Sequence, residues 1–128
     1  MQYPDDTLRD ELHRGQYESE EDCAQGLNLV WSQLQKRAHV DEGEDPTEVL
    51  LAVQGWASLA SYVVAQTYAP QSPMRYAGWA RNIPYLLQRI AALLRLPLLT
   101  AARALGASAA SVSGSFPWGI SVTLEWSV

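Results

Sequence analysis

Residues 111–128 read SVSGSFPWGISVTLEWSV, and two classes of residue alternate throughout this stretch. Every even position from Val112 to Val128 is apolar or Gly, while every odd position is Ser, Thr, Glu, Pro or Gly. A period of two is typical of a β-strand with one buried face. One unbroken strand of this length would reach roughly 55 Å, whereas a compact chain of this size is only about 36 Å across. The segment is therefore predicted to turn back on itself.

The turn is predicted at Phe116-Pro117-Trp118-Gly119. Pro117 presets φ for the first corner of a type I turn, and Gly119 can adopt the left-handed conformation that closes it. A two-residue loop would mix the two faces, whereas a three-residue loop of 117–119 keeps them apart. This loop predicts one set of facing pairs on each face of the hairpin. They are Phe116 with Ile120, Gly114 with Val122, Val112 with Leu124 and Ala110 with Trp126 on the apolar face, and Ser115 with Ser121, Ser113 with Thr123 and Ser111 with Glu125 on the polar face.

Length and composition indicate a single domain covering residues 1–128. With 48% hydrophobic residues, the chain can bury a core without disulfides or metals. Its one cysteine, Cys23, fits a reducing compartment, and the acidic start does not resemble a signal peptide. Residues 83–105 come nearest to a membrane span, but they contain three arginines and two prolines. We therefore expect a cytoplasmic protein and do not favour a membrane-spanning one.

The charge is distributed unevenly along the chain. Residues 1–48 carry thirteen acids and four basic residues, a net −9, while residues 49–128 carry five arginines and Glu125, a net +4. These charges either face solvent or steer the acidic half of one copy towards the arginine-bearing half of another. A nucleic-acid partner is not expected, because the total is −5 and the arginines are dispersed.

The first half of the chain predicts a short N-terminal segment and two helices. Residues 1–17 form an amphipathic segment that we expect to be partly ordered and to end near Gly15. Ser19 is the predicted N-cap of a helix that runs to about Ala38, with Asp22 in the capping-box position. Asp45 and Pro46 begin a helix that extends to about Ala69. This helix is apolar on two sides and therefore central, and its row of Ala57, Ser61 and Ala65 allows another helix to approach closely.

The second half predicts shorter helices separated by prolines. Ser72 and Pro73 restart the chain before a short segment, Met74 to Asn82. Pro84 to Arg95 and Pro97 to Leu105 are predicted as two helices joined at a kink or tight turn, and Gly106 as the final stop. The first of this pair carries an arginine face that includes Arg89 and Arg95.

Together these elements predict an α+β fold that is predominantly helical. A bundle of four to five helices over residues 19–106 carries a C-terminal amphipathic β-hairpin, residues 110–127, packed on it. The hairpin's apolar face needs this cover, because a two-stranded ribbon is marginal alone. The face consists of Val112, Phe116, Ile120, Val122, Leu124 and Trp126.

The sequence offers no catalytic, cofactor-binding or metal-ligating constellation. His13, His39 and Cys23 have no paired spacing, and the glycines form no phosphate-binding loop. The serines near the C-terminus have neither a strand-to-helix elbow nor a downstream histidine. An enzyme of unidentified class is kept as an alternative without sequence support.

The hairpin edges suggest function, because Glu125 is their only charge and Pro117 lies in the turn. We predict a non-enzymatic assembly or adaptor module that self-associates or binds a protein partner through an edge. The alternatives are that the edges are shielded by the N-terminal segment or left exposed, and that Trp118 is either an exposed anchor or folded onto a helix. The predicted interaction residues lie on the hairpin and on the arginine face: Trp118, Ser113, Ser115, Ser121, Thr123, Glu125, Arg89 and Arg95.

A membrane-active protein is the second functional class. A Ser/Thr face backed by aromatic and β-branched residues is also typical of a pore-forming ribbon. Each strand is expected to have about seven residues, fewer than the ~9 to 11 that span lipid. The assembly module is therefore favoured.

Overall fold

The computed structural model describes residues 1–67, 82–116 and 118–127. The predicted helix start at Ser72-Pro73 and the short segment up to residue 81 lie outside the described residues. Within them the chain forms four helices followed by an antiparallel two-stranded hairpin, which confirms an α+β, mostly helical fold. The elements are α1 (Asp6–Arg14), α2 (Glu20–Gln35), α3 (Pro46–Thr67), α4 (Asn82–Ala104), β1 (Ala109–Ser115) and β2 (Gly119–Glu125).

The predicted helix boundaries at three sites are confirmed. Ser19 Oγ accepts a hydrogen bond from Asp22 N at 3.2 Å at the start of α2. Asp45 Oδ1 accepts one from Thr47 N at 2.9 Å where α3 begins. At the end of α4, Gly106 has a φ of +82°, and the Gly106 and Ala107 amides donate back to the carbonyls of the last turn. The hairpin therefore leaves the bundle from a well-defined helix end.

Helix α3 is the central element, as its two apolar sides predict. It packs against α2, α4 and β2. Trp56, Val63 and Val64 are fully buried in the main core, and Trp56 Nε1 donates to the Gln2 carbonyl at 2.8 Å. The N-terminal segment thus contacts α3 directly, with Met1 also ion-paired to Glu44. The partial order expected for residues 1–17 stays a prediction.

The prediction of two helices around Pro97 is wrong. Helix α4 continues through this residue, although an interior proline removes one backbone hydrogen bond and costs about 3 kcal/mol. Leu94, Pro97, Leu98 and Ala101 are all buried, so the same face of the helix faces the core before and after the proline. Burying this continuous apolar stripe offsets the cost of the interior proline. The helix therefore continues through Pro97.

The hairpin's two faces are confirmed, but the predicted pairing register is wrong by two residues. Gly114 faces Ile120, Val112 faces Val122 and Ser113 faces Ser121. A shift of two preserves the parity of the faces. Both glycines sit where the hairpin touches a helix, because a Cβ on Gly114 would lie 2.7 Å from the Leu87 backbone and one on Gly119 would lie 2.5 Å from Ser61 Oγ. Docking on the helices, rather than the turn alone, sets the register.

Two described helices, α3 and α4, are long and apolar enough to cross a membrane by length and composition. In each, half of the most apolar window is buried within the protein. Core helices of this length meet the same criterion, so the observation is weak evidence for a membrane span.

Candidate interaction site at the hairpin edge

The predicted polar residues of the hairpin share one exposed face. Ser113 Oγ and Ser121 Oγ lie 3.1 Å apart and hydrogen-bond across the strands. Their neighbours on this face are exposed as well, because the opposite face packs on the bundle. The exposed set comprises Ser111, Ser113, Ser115, Ser121, Thr123 and Glu125.

Trp118 lies in the hairpin turn with 82% of its surface exposed. It does not fold back onto a helix. Its exposure agrees with the expected aromatic anchor, while its binding role stays a prediction.

Arg89 and Arg95, the two arginines of the predicted interaction set, have different surroundings on α4. The Arg89 guanidinium stacks on the Trp31 ring, 3.8 Å from its centroid, and also lies 5.7 Å from the Tyr85 ring centroid. Arg95 is exposed and forms no ion pair with any residue in the described part of the chain. Arg89 therefore joins α4 to α2, whereas Arg95 presents its charge at the surface.

The outer edge of β2 is partly occupied by α3. Ser61 Oγ accepts a hydrogen bond from Ile120 N at 2.9 Å and donates one to Ile120 O at 3.3 Å. In an antiparallel pair the N–H and C=O of one residue point to the same side, and this side alternates along the strand. Since the Ile120 groups point away from β1, those of Val122 and Leu124 do too. The prediction of a wholly unpaired edge is thus wrong at Ile120.

Beyond Ile120 the edge is open with respect to the described residues. The outward backbone groups of Val122 and Leu124 hydrogen-bond to no other residue within 1–67, 82–116 and 118–127. A groove of about 220 Å³ separates this edge from α3. It is lined by Gln54, Ala57, Ser58, Ser61, Ile120 and Val122. The row of small residues on α3, Ala57, Ser61 and Ala65, predicts a close approach by another helix. At Ser61 the element that approaches is the strand β2.

Trp126 is not covered by the bundle as predicted. It is 54% exposed and follows directly after β2. Its even number places it on the same face as Val122, provided that the strand geometry continues for one more residue. A large aromatic side chain therefore lies beside the open edge. Odd and even numbering predicts only that residue 126 belongs to the apolar face, and does not predict its exposure.

A second, larger cavity opens on the other side of Gln54 and Ser58. Its volume is about 550 Å³, and it lies between the N-terminal segment, α1 and α3. No sequence pattern predicts this cavity, because the lining residues are far apart in the chain. They are Tyr3, Arg9, His13, Leu51, Gln54, Gly55, Ser58, Leu59 and Tyr62.

Tyr3 at the cavity and Cys23 in the buried core both have raised pKa values. Desolvation, and after it the charge of Glu48, raises the pKa of Tyr3, whose hydroxyl donates to Glu48 Oε2 at 3.2 Å. Burial raises the pKa of the Cys23 thiol to about 11, so this thiol is not an activated nucleophile. No group of three or more His, Cys, Asp or Glu side chains in the described chain is arranged to hold a metal ion.

Comparison with known proteins yields no relative: no family model, no curated protein and no solved structure matches this chain.

Proposed function

We propose that this chain is a non-enzymatic self-assembly module in which two copies pair through the outer edges of β2. The observation that carries the proposal is the open backbone edge at Val122 and Leu124, flanked by a groove and by the exposed Trp126. Edge strands that lack proline and carry little charge are templates for further strands, and Glu125 is the one charged residue of β2. A two-fold pairing of identical edges closes after two copies.

The occupied part of the edge limits which register two copies can use. Ser61 already bonds the outward groups of Ile120, so pairing is confined to the residues that follow. An antiparallel pairing centred on Leu124 places Val122 opposite Trp126 of the second copy. Directly opposed residues point to the same face. The second copy's Trp126 is then next to the groove between α3 and β2.

This register also avoids repulsion between the Glu125 carboxylates of the two copies. Glu125 faces Thr123 of the second copy, so the two carboxylates are not directly opposed. The polar Ser/Thr face remains in water on both copies. A tryptophan covers about 150 to 250 Å² when buried, which adds apolar contact to the new backbone hydrogen bonds.

The test is size-exclusion chromatography with light scattering on the wild-type chain and two tryptophan variants. We expect a dimer whose fraction rises with concentration between about 1 and 100 μM. Trp126→Ser is expected to weaken association at least tenfold, about 1.4 kcal/mol. Trp118→Ser, which removes an equally large exposed ring from the turn, is the matched control and should leave association unchanged.

Two outcomes contradict the proposal. A strict monomer at 100 μM excludes self-association, and loss of the dimer in Trp118→Ser but not in Trp126→Ser places the contact at the turn. Salt separates edge pairing from steering between the acidic and arginine-bearing halves. Edge pairing should persist or strengthen in 0.5 M NaCl because each copy has a net charge of −5, whereas charge steering should weaken.

A membrane-active protein is the second candidate, favoured by the 82% exposure of Trp118 at the hairpin turn. Each strand has seven residues, which is too short to cross the hydrocarbon core, so contact would be limited to the lipid surface. Co-sedimentation with anionic vesicles tests this candidate. Binding that is lost in Trp118→Ser supports it, and absence of binding removes it.

We propose a cytoplasmic location for the module, in keeping with its single cysteine.

A further inference from the structure

We infer that the cavity between α1 and α3 binds a small aromatic carboxylate carrying a single negative charge. Its volume of about 550 Å³ lies in the range of small-molecule sites, roughly 300 to 1,000 Å³. This site is separate from the pairing edge of β2, and the inference does not depend on the proposed self-assembly.

The apolar part of the ligand is specified by the tyrosines. Tyr3 and Tyr62 both line the cavity. The His13 ring packs on the Tyr62 ring with 4.4 Å between centroids, which restrains the tyrosine. Aromatic side chains provide large rigid contact areas for planar groups, so a fused or substituted aromatic ring matches this lining.

The anionic part is specified by Arg9. Its side chain lines the cavity and forms no ion pair with any residue of the described ranges. The guanidinium lies against α3, because a Cβ built on Gly55 would be 3.7 Å from Arg9 Nη2, an ordinary van der Waals contact. A guanidinium presents a planar fork of N–H donors that matches a carboxylate. Gln54 and Ser58 add neutral polar groups on the adjacent wall.

The charge balance favours a carboxylate over a phosphate. Among the described residues that line the cavity, Arg9 is the one permanent cation, and one positive charge matches a monoanion. The Glu48 carboxylate accepts a hydrogen bond from the Tyr3 hydroxyl at the cavity wall, and the exposed Asp5, Asp6, Asp10 and Glu11 lie on or next to α1. These acids would repel a dianionic phosphate more strongly than a singly charged acid.

The test uses 2-naphthoate and its uncharged amide, 2-naphthamide, as probes. Saturation-transfer NMR and isothermal titration calorimetry measure binding to the wild-type chain, and the His13 ring resonances report whether the probe enters this cavity. We expect naphthoate to bind at least tenfold more tightly than the amide and to shift the His13 resonances. Arg9→Gln should abolish this preference for the acid.

Two further variants control the result. Arg14→Gln removes an exposed arginine from the same helix outside the cavity and should leave binding unchanged. Ser58→Phe fills the cavity and should block both probes. The inference is overturned if millimolar naphthoate gives no signal, if acid and amide bind equally, or if Arg9→Gln binds the acid as the wild type does. The dimer measurement is made without probe, so either proposal can fail alone.

Discussion

Ser61 holds Ile120 by both of its backbone groups: the Ser61 hydroxyl accepts a hydrogen bond from Ile120 N at 2.9 Å and donates one to Ile120 O at 3.3 Å. The Ser61 side chain thereby makes the hydrogen bonds with Ile120 that a neighbouring strand would make at the start of β2. This contact joins residues 59 positions apart, seals the edge at Ile120 and leaves the open edge to begin at Val122.

Ser61→Ala should destabilise the protein by about 1 to 3 kcal/mol, because the Ile120 N–H and C=O lose their partner in a partly buried position. Urea unfolding followed by circular dichroism gives the change in the free energy of unfolding. Ser58→Ala, on the same helix but exposed, is the control and should change it by less than about 0.5 kcal/mol. Equal stabilities for the two variants would show that the Ser61 contact does not hold β2.

Gly114→Ala should also be destabilising, although replacing glycine in a strand usually stabilises by about 0.4 to 1 kcal/mol. The added Cβ would lie 2.7 Å from both the carbonyl carbon and the oxygen of Leu87. These are backbone atoms, so β1 or α4 must shift, at a cost of about 1 to 3 kcal/mol. Thermal unfolding of this variant beside Ser115→Ala, an exposed neighbour, measures the effect. An unchanged or raised melting temperature for Gly114→Ala would contradict the close packing of β1 on α4.

The two glycine contacts explain what the sequence could and could not predict about the fold. Odd and even numbering defines the faces of the hairpin, because side chains alternate along any strand. The register, in contrast, depends on Ser61 and Leu87, which are distant in sequence. The turn residues alone permit two registers of the same parity, and only the helices distinguish them.

The same distinction between local and distant information applies to Pro97 and to the candidate site. A proline ends a helix on local grounds, but the burial of α4 on both sides of Pro97 is a property of the whole core. The exposure of Trp118 follows from its place in a turn. The exposure of Trp126 depends on how far the helices extend beneath β2, which no local pattern encodes.

Alkaline pH should destabilise the protein through Cys23. Burial raises the pKa of this thiol to about 11, from an ordinary value of 9.0. Above pH 9 the unfolded chain releases the thiol proton while the folded protein retains it, so unfolding becomes more favourable as the pH rises. The free energy of unfolding should fall by up to about 1.4 kcal/mol per pH unit between pH 9 and 11. Tyr17, whose pKa burial raises to about 12, acts in the same direction from pH 10 upward.

The control for this prediction is Cys23→Ala, measured by urea unfolding at pH 7, 9 and 10. The variant should be less stable at pH 7 because it loses a buried sulfur. Its stability should nevertheless decline less between pH 9 and 10 than that of the wild type. Parallel declines in both proteins would show that Cys23 does not contribute to the pH dependence.

Arg89 and Arg95 should respond differently to the same substitution, although both belong to the arginine face that the sequence predicts on α4. Arg89→Gln removes the guanidinium stacked 3.8 Å from the Trp31 ring centroid and should cost about 0.5 to 2 kcal/mol. Arg95→Gln removes an exposed, unstacked charge and should change stability by less than about 0.5 kcal/mol. Arg89→Lys keeps the charge but not the planar stack, so it should recover only part of the loss. Urea unfolding of the three variants measures the difference, and equal stability of Arg89→Gln and Arg95→Gln would place both arginines on the free surface.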